Sequence, residues 1–337
     1  MNWAVIMAGG YGERFWPMSR RKRPKQLLPI VGRKTMIQQT VERLLPIVPA
    51  SRMMVVTQRE QVALVRKQLP RVKHIVAEPM GKNTAPCIAL AAAIIGKHDP
   101  NAVMAVVPAD SWIGDDEKYR RVVGDSLAMA AQRDVLITIG IQPTSAHTGY
   151  GYVQVGAAIS DRFWKARRFV EKPDRATAEQ FLASGDYRWN AGMFVWSLRS
   201  IGAAFQKYRP EMWADVRSLT RIYPELEKIS IDYAIMEKAG NVVVANGDFE
   251  WDDVGDWAAV ERHAGRGGMV APEFVSVDAT GCVIAGEAGH TVAAVGVRDL
   301  VIVHTKDATL VCHKNEAQRV RELVKKLAGD RKYKKLL

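Results

Sequence analysis

Glycine and basic side chains are concentrated just after the first apolar segment of the chain, residues 3–7. The loop that follows this segment contains three glycines, Gly9, Gly10 and Gly12. A glycine-rich turn after a strand lets backbone N–H groups approach phosphate oxygens. Arg14 and Lys25 come next, and two fixed cations suit the charge of a triphosphate or of a departing pyrophosphate. The spacing matches no complete phosphate-binding motif, so a plain tight turn is the alternative.

Carboxylates that could hold a metal ion lie in two other segments. Asp110 ends the apolar segment VVPAD, and the segment FEWDDVGDW, residues 249–257, contains Asp252, Asp253 and Asp256. Mg²⁺ usually takes one or two carboxylates together with substrate phosphates. The sequence therefore predicts a Mg²⁺ site formed by Asp110 and one of these three aspartates, and composition leaves open which one. A simple turn cap is the alternative for Asp110.

Groups that suit a sugar phosphate follow in the middle of the chain. The segment FVEKPD presents Glu171 and Lys172 at the end of a predicted strand, which offers acceptors for hydroxyls beside a cation for phosphate. Asn190 in WNAGMFVW and the glycines of TGYGY, residues 148–152, suit close approach to a sugar ring and hydrogen bonding to it. A surface ion pair is the alternative for Glu171 and Lys172.

No arrangement of side chains indicates a covalent nucleophile. The seven histidines are scattered, and the three cysteines lack CxxC spacing and are too few for a disulfide framework. A zinc site is therefore not expected, and a reducing compartment is the simplest setting.

Apolar segments predicted as strands alternate with predicted helices in the first half of the chain. Strands are predicted at 3–7, 53–57, 74–78, 102–107 and 135–140, and helices at 35–45, 60–69, 84–97 and 116–131. The fold class is therefore α/β, with a Rossmann-like mixed, mostly parallel sheet covered by helices on both faces. Ligands of such sheets bind outside the carboxyl ends of the strands, where Gly9 and Asp110 are expected.

The remainder of the chain changes pattern twice. After residue 150 we predict strands near 151–155, 166–171 and 191–196, and helices that start near 174, 198 and 230. After GRGG, residues 265–268, short β-type segments without helices predict a small separate β domain, closed by a helix at about 315–328. We therefore expect a catalytic domain over residues 1–265, and a small β domain with a C-terminal helix and a basic tail over 266–337.

Charge and hydropathy restrict the partners. The 337 residues carry a net charge of +12, and half of it comes from nine basic and three acidic residues within 314–337. We expect a solvated face there, with an RNA or membrane contact as the alternative. The longest apolar stretch, residues 86–96, is too short to cross a bilayer and is predicted to be a buried helix. With no signal peptide at its start, the chain is expected to be cytoplasmic, with no nucleic-acid or membrane partner.

Together these motifs resemble the nucleotidyltransferases that make sugar nucleotides, and among them the bacterial mannose-1-phosphate guanylyltransferase (GDP-mannose pyrophosphorylase) family. The resemblance covers about residues 3–312. It is carried, in the family's order, by MAGGYGERFWPMSRRKRPKQ, AEPMGKNTAPCIALAA, VVPAD, TGYGYVQ, FVEKPD, WNAGMFVW, IDYAIMEK and FEWDDVGDW. It implies a GT-A-like catalytic domain and a small C-terminal domain resembling a left-handed β-helix.

The resemblance also implies a reaction and a set of residues. The enzyme would transfer GMP from GTP to α-D-mannose 1-phosphate by direct, in-line, Mg²⁺-assisted attack, giving GDP-mannose and pyrophosphate. Arg14 and Lys25 would hold the triphosphate, and Asp110 and Asp253 would hold the metal. The nucleotide would be bound by Gly9, Gly10, Gly12, Glu13, Glu78, Asn83 and Thr84. The sugar would be read by Gly151, Glu171 and Asn190, with Lys172 on its phosphate.

Two alternatives to this reaction stay open. One keeps the fold and changes the hexose 1-phosphate or the nucleotide, and the other is a non-catalytic sugar-nucleotide-binding protein. Many bacterial relatives continue into a cupin-like isomerase domain for which this sequence has no room, so we expect the transferase activity alone. Residues Arg20 to Arg23 are expected on a mobile, solvated lid, and a homodimer is a further expectation.

Overall fold

The computed structural model describes residues 1–263, 273–286 and 289–337. The strands before residue 263 are β1 (Asn2–Ala8), β2 (Met53–Gln58), β3 (His74–Glu78), β4 (Val103–Pro108), β5 (Trp112–Ile113), β6 (Leu136–Ile141), β7 (Tyr152–Ser160), β8 (Phe163–Val170), β9 (Tyr187–Ser197), β10 (Val242–Gly247) and β11 (Trp251–Asp252). The helices are α1 (Met36–Leu44), α2 (Val62–Gln68), α3 (Thr84–His98), α4 (Asp116–Gln132), α5 (Arg175–Ser184), α6 (Leu198–Tyr208), α7 (Val216–Ile222) and α8 (Trp257–Glu261).

Nine of these strands form one sheet in the order β3-β2-β1-β4-β9-β6-β10-β8-β7. The ladders that join β1, β2, β3 and β4 are parallel, as is the ladder between β6 and β10. Strand β9 lies antiparallel between β4 and β6. The predicted mixed, mostly parallel sheet is therefore confirmed, and each strand predicted before residue 150 begins within one residue of its observed start.

The side chains of β1 point alternately to the two faces of the sheet, and this explains why helices cover both faces. Ala4 and Ile6 pack into one hydrophobic cluster together with α1 and α4, while Trp3 and Val5 pack into a second cluster with α3 and α6. Successive side chains of a strand point to opposite faces, so an unbroken apolar strand needs cover on both sides. The buried helix predicted over residues 86–96 is confirmed as the central part of α3.

The helix predicted to start near residue 230 is present, but as one short π-helical turn, Asp232–Met236, rather than as an α-helix. The Ile231 amide donates a hydrogen bond to the Thr84 hydroxyl at 2.8 Å, and the Asn190 side-chain amide donates to Asp232 at 2.8 Å. These tertiary contacts hold the π-helical turn in place. They also hold Asp232 at the sheet edge.

The C-terminal strands form a β-helix-like unit. They are β12 (Glu273–Val277), β13 (Val283–Gly286), β14 (Thr291–Val295), β15 (Leu300–Thr305) and β16 (Ala308–His313), followed by a 3-10 turn and by α9 (Val320–Ala328). Parallel ladders join β12 to β14 and β13 to β15. Their registers pair Glu273 with Thr291 and Val283 with Val301, so both ladders have the same offset along the chain. A constant offset is expected of successive coils.

The small β unit shares its hydrophobic core with the N-terminal loop. Val301, Val303 and Val320 belong to the same buried cluster as Phe15 and Trp257. The two parts therefore pack against each other through one buried cluster. Their division into a catalytic domain and a small β domain stays a prediction. The boundary predicted at residue 265, with its GRGG segment, lies outside the described residues and stays a prediction.

The C-terminal tail and the loop that contains Trp16, Arg20 and Arg21 make tertiary contacts that the sequence did not indicate. The Trp16 indole donates a hydrogen bond to the Leu336 carbonyl at 2.9 Å, and the Arg21 amide donates to the Leu337 carbonyl at 2.8 Å. Arg20 forms an ion pair with Asp307 at 2.8 Å. Lys334 and Lys335 are exposed, so the charged face of the tail is solvated as expected, although the last two residues are bound to the first loop. The Arg20 side chain is 19% exposed and paired, so the expectation of a solvated Arg20 is wrong. These contacts join residues far apart in the chain and follow no periodic pattern, so the sequence alone could not reveal them.

No helix in the described ranges is long and apolar enough to cross a bilayer.

Candidate active site

A cavity of about 660 Å³ opens at the carboxyl edge of the main sheet. It brings together most of the residues singled out from the sequence: Gly12, Glu13, Arg14, Lys25, Thr84, Asp110, Gly151, Glu171, Asn190 and Asp253. These residues come from loops far apart in the chain, and they meet because parallel strands deliver their following loops to one edge.

Gly12 shows why the first loop is rich in glycine. Its φ of 62° lies in the left-handed region, which costs other residues about 1–2 kcal/mol. A Cβ atom at this position would lie 2.9 Å from the Lys25 backbone nitrogen and would also collide with the Lys25 side chain. The glycine therefore lets the loop pass directly over Lys25.

Lys25 connects the two predicted metal-binding segments. Its side chain is 6% exposed, and its ammonium donates to Asp110 Oδ2 at 2.9 Å and to the Asp253 carbonyl at 2.6 Å. A buried ammonium needs such partners, because burying an unpaired charge is costly. One cation thus holds the ends of β4 and β11 together at the floor of the cavity.

The three aspartates near β11 have three different environments. Asp252 accepts hydrogen bonds from Arg262 and His263. Burial opposes ionisation of Asp252, but these bonds lower its pKa well below its usual range. Asp256 caps α8, whereas Asp253 lines the cavity. The ambiguity that composition left among the three is therefore resolved in favour of Asp253 as the cavity residue.

A short ladder that the sequence did not reveal aligns these carboxylates. Trp251 pairs with Ile113, and Asp252 pairs with Trp112, so β11 lies antiparallel to β5 just after Asp110. Two-residue strands carry no periodicity, and sequence patterns therefore miss them. This pairing brings the Asp110 and Asp253 loops to the same side of the cavity.

Tyr150 is a further cavity residue to which the sequence assigned no role. Its hydroxyl donates a hydrogen bond to Asp253 Oδ1 at 2.7 Å, and its ring lies edge-on to Trp189 and Trp251. Burial, together with the Asp253 carboxylate, raises the pKa of Tyr150. The hydroxyl therefore keeps its proton and fixes the orientation of Asp253, leaving Asp253 Oδ2 without this bond.

The other end of the cavity carries acceptors suited to hydroxyl groups. The Glu171 side chain is 7% exposed, and its Oε2 is buried without a hydrogen-bond partner in the described part of the chain. A Cβ on Gly151 would collide with this oxygen, so only a glycine leaves room for the Glu171 carboxylate in this position. Lys172 forms an ion pair with the other oxygen of Glu171.

Asn190 and Asp232 form the wall beside Glu171. The Asn190 carbonyl oxygen accepts from the Thr138 hydroxyl at 2.8 Å, and its amide nitrogen donates to Asp232. Burial, with the nearby negative charge of Glu171, raises the pKa of Asp232. One hydrogen of the Asn190 amide stays available to the cavity.

Some predicted site residues do not line the cavity: Gly9, Gly10, Glu78, Asn83 and Lys172. Glu78 is buried and accepts hydrogen bonds from Tyr223, Gln58 and the Lys82 amide. Burial raises the pKa of Glu78 against the opposing effect of these bonds. Asn83 uses its side chain to cap α3 at the Thr84 amide. The proposed contacts of Glu78 and Asn83 with guanosine stay predictions.

The cavity floor fits a divalent cation held jointly by protein and substrate. No group of three or more potential metal-binding side chains occurs within residues 1–263, 273–286 and 289–337. Two carboxylates, Asp110 and Asp253, do line the same cavity. Mg²⁺ is commonly bound by one or two carboxylates, and phosphates and water complete its coordination. Asp110 and Asp253 would therefore hold the ion only together with a phosphate-bearing substrate.

Comparisons with known proteins agree with this geometry. A family model described as "Nucleotidyl transferase" matches residues 3–264, and one described as "MannoseP isomerase/GMP-like beta-helix domain" matches residues 272–327. A mannose-1-phosphate guanylyltransferase of Escherichia coli is 38% identical, over 95% of this chain and 72% of that protein. A homologue from Klebsiella pneumoniae with the same name is also 38% identical, with the same coverage.

Solved structures also match most of the chain. A crystal structure from Thermus thermophilus, described as a mannose-1-phosphate geranyltransferase, has a TM-score of 0.90 and 36% identity, and the match covers 97% of this chain and 99% of that one. A UDP-glucose pyrophosphorylase bound to UDP-glucose shares the fold alone, with a TM-score of 0.57 and 20% identity over 78% of this chain and 97% of that one.

Proposed function

We propose, from the premise that this chain belongs to the nucleotidyl transferase family and within it to the mannose-1-phosphate guanylyltransferases, that it transfers GMP from GTP to mannose 1-phosphate. The products are GDP-mannose and pyrophosphate. The observation that carries the proposal is the single cavity in which Arg14 and Lys25, the carboxylates Asp110 and Asp253, and the Glu171–Asn190 wall all meet. A cation end, a metal-binding floor and a hydroxyl-binding end are what this reaction requires.

The reaction is a direct displacement at phosphorus. A phosphate oxygen of mannose 1-phosphate forms a bond to the α-phosphorus of GTP, and the bond from that phosphorus to the bridging oxygen of pyrophosphate breaks. The protein supplies positioning and charge neutralisation rather than a nucleophile.

The triphosphate is proposed to lie over the first loop. Arg14 is anchored there by a hydrogen bond to the Gly255 carbonyl at 2.8 Å, which leaves its other N–H groups for phosphate oxygens. Lys25 holds the Asp110 and Asp253 segments together. Glu13 and Gly12 line the same end of the cavity, and Gly9 and Gly10 lie in the same loop, so we propose these four as the nucleotide loop.

Asp110 and Asp253 are proposed to hold Mg²⁺. When bound there, the ion would neutralise charge on the phosphate oxygens. Tyr150 orients Asp253 through its hydroxyl. Lys25 already donates to Asp110 Oδ2, so the other oxygen of Asp110 is the one open to a cation.

The mannose ring is proposed to lie against Gly151, Glu171 and Asn190. The unpartnered Oε2 of Glu171 can accept a hydroxyl hydrogen. Lys172, paired with the opposite oxygen, is proposed to approach the sugar phosphate. The guanosine is proposed to lie near Thr84, which lines the cavity, with Glu78 and Asn83 behind it.

The oligomeric state is a further prediction. A homodimer stays a prediction. It is supported by Val275, Val277 and Val295 on the small β unit, each more than half exposed, because such apolar surface favours burial against a partner.

A change of hexose or nucleotide on the same fold stays the alternative function. A non-catalytic sensor is disfavoured, because it has no need of the whole set Arg14, Lys25, Asp110 and Asp253.

The test is pyrophosphate release measured over all four nucleoside triphosphates and several hexose 1-phosphates, with Mg²⁺ and with EDTA. We expect GTP with mannose 1-phosphate to be among the best pairs, and EDTA to abolish release. A different preferred pair would replace the assigned substrates while keeping the reaction. No release from any pair would favour the sensor.

A further inference from the structure

The C-terminal helix α9 contributes to the wall of the active-site cavity. It packs against the turn Glu13–Phe15 that follows the glycines. Val320 and Val324 of the helix are buried in the cluster that contains Phe15 and Trp16. These two valines lie on one helix face, because residues four apart are neighbours on an α-helix. The buried face fixes how the helix is rotated about its axis.

That rotation points the adjacent helix face toward the nucleotide loop. Arg321 lines the main cavity together with Arg14 and Lys25. Lys325, one turn later, lines a neighbouring cavity of about 440 Å³ that shares Tyr11 and Glu13 with the first. Both side chains therefore face the loop at residues 11–13. The Glu171 end of the cavity is formed instead by residues that adjoin β7, β8 and β9.

The Arg321 side chain has no protein partner among the described residues. It makes no hydrogen bond or ion pair with any residue in the described part of the chain. Arg319, two residues earlier, is held by Glu316 and Glu322, and Arg20 is held by Asp307. A guanidinium that faces a site without a protein partner keeps all five of its N–H donors for a ligand.

We propose that Arg321 binds the β- and γ-phosphates of the nucleotide, the part that leaves as pyrophosphate. This inference rests on the proposed function for the identity of the leaving group. The planar guanidinium forms paired hydrogen bonds with phosphate oxygens. Lys25 is committed to Asp110 and Asp253, and Arg14 is partly committed to Gly255. Arg321 therefore supplies the uncommitted cation at this end, and α9 becomes part of the active site.

The test compares R321Q and R321K with the control R319Q, all in the full-length chain. Binding of inorganic pyrophosphate with Mg²⁺ is measured by calorimetry, and the KM values for pyrophosphate and for GDP-mannose are measured in the reverse reaction. We expect R321Q to weaken pyrophosphate binding by about tenfold or more, with R321K intermediate, since the lysine keeps the charge but loses the paired geometry. Pyrophosphate binding by R319Q should differ from that of the unmodified chain by less than about twofold. The KM of R321Q for GDP-mannose should also change by less than about twofold.

The outcomes separate this inference from the proposed function. If R321Q and R321K both bind pyrophosphate as the unmodified chain does, or if the unmodified chain does not bind pyrophosphate, the role of Arg321 is overturned. If the unmodified chain binds pyrophosphate but transfers no nucleotide to any sugar phosphate, the proposed function fails, and the comparison of R321Q with R319Q still decides the inference. Melting temperatures of all variants check that folding is unchanged, and Arg321 is an exposed side chain whose replacement leaves the core intact.

Discussion

Three neighbouring aspartates illustrate how environment, not residue type, sets a role. Asp252 is buried and accepts hydrogen bonds from Arg262 and His263, and Asp256 caps a helix. Asp253 alone of the three lines the cavity. Their sequence neighbourhood is nearly identical, and their different partners come from tertiary structure.

Replacing Tyr150 with phenylalanine tests how Asp253 is oriented. The change removes the hydrogen bond to Asp253 Oδ1 but keeps the ring packing against Trp189 and Trp251. Because partners of metal-binding side chains typically affect metal affinity by 10–100-fold, we expect the Mg²⁺ concentration for half-maximal rate to rise about tenfold. The measurement is a Mg²⁺ titration of the initial rate at saturating substrates.

Tyr208→Phe is the matched control for this titration. It also removes a tyrosine hydroxyl that donates a hydrogen bond, here to the Lys238 carbonyl at 3.0 Å, but Tyr208 does not line the main cavity. We expect no change in its Mg²⁺ requirement. An unchanged requirement in Y150F as well would remove Tyr150 from the proposed metal site.

Secondary-structure elements were predicted well where they are long and periodic, and poorly where tertiary contacts form them. The apolar segments at β1, β2 and β4 follow directly from their composition. The two-residue β5–β11 ladder has no local signal, yet it aligns the loops of Asp110 and Asp253. A helix was expected near residue 230, but no local signal distinguishes the π-helical turn Asp232–Met236 from an α-helix. Arg321 was hidden in a basic tail, because charge patterns alone do not say which arginine lacks a partner.

The C-terminal segment after α9 is expected to stabilise the first loop. Removing residues 329–337 deletes the hydrogen bonds from the Trp16 indole and the Arg21 amide, and the packing of Leu336 and Leu337 against the shared cluster. At about 1 kcal/mol for each hydrogen bond, plus the apolar contacts, we expect the free energy of unfolding to fall by about 2 kcal/mol or more. Urea unfolding of the two chains measures this loss.

A charge-only variant separates packing from electrostatics in the same segment. Lys334→Gln combined with Lys335→Gln keeps the backbone and both leucines, and both lysines are exposed. We expect its unfolding free energy to lie within about 0.5 kcal/mol of the unmodified chain. If the truncated chain is equally stable, or if the charge variant is as unstable as the truncation, the proposed tie to the first loop is wrong.

At the scale of the whole molecule, one cavity joins the two ends of the chain. The glycine loop and Asp110 come from the first third, the Glu171–Asn190 wall from the middle, and Arg321 from the C-terminal helix. The cluster around Phe15 and Trp16 fixes this arrangement, since it contains residues of the first loop, α8, the small β unit and α9. Catalysis by positioning requires such a fixed frame.

The most direct test of the account follows the α-phosphorus of GTP. The unmodified chain is incubated with Mg²⁺, GTP labelled at that phosphorus and unlabelled mannose 1-phosphate, and the products and the denatured protein are separated. Direct transfer predicts label in GDP-mannose, unlabelled pyrophosphate, and none bound to the protein. Label retained covalently on the protein, or no labelled sugar nucleotide, would contradict the account.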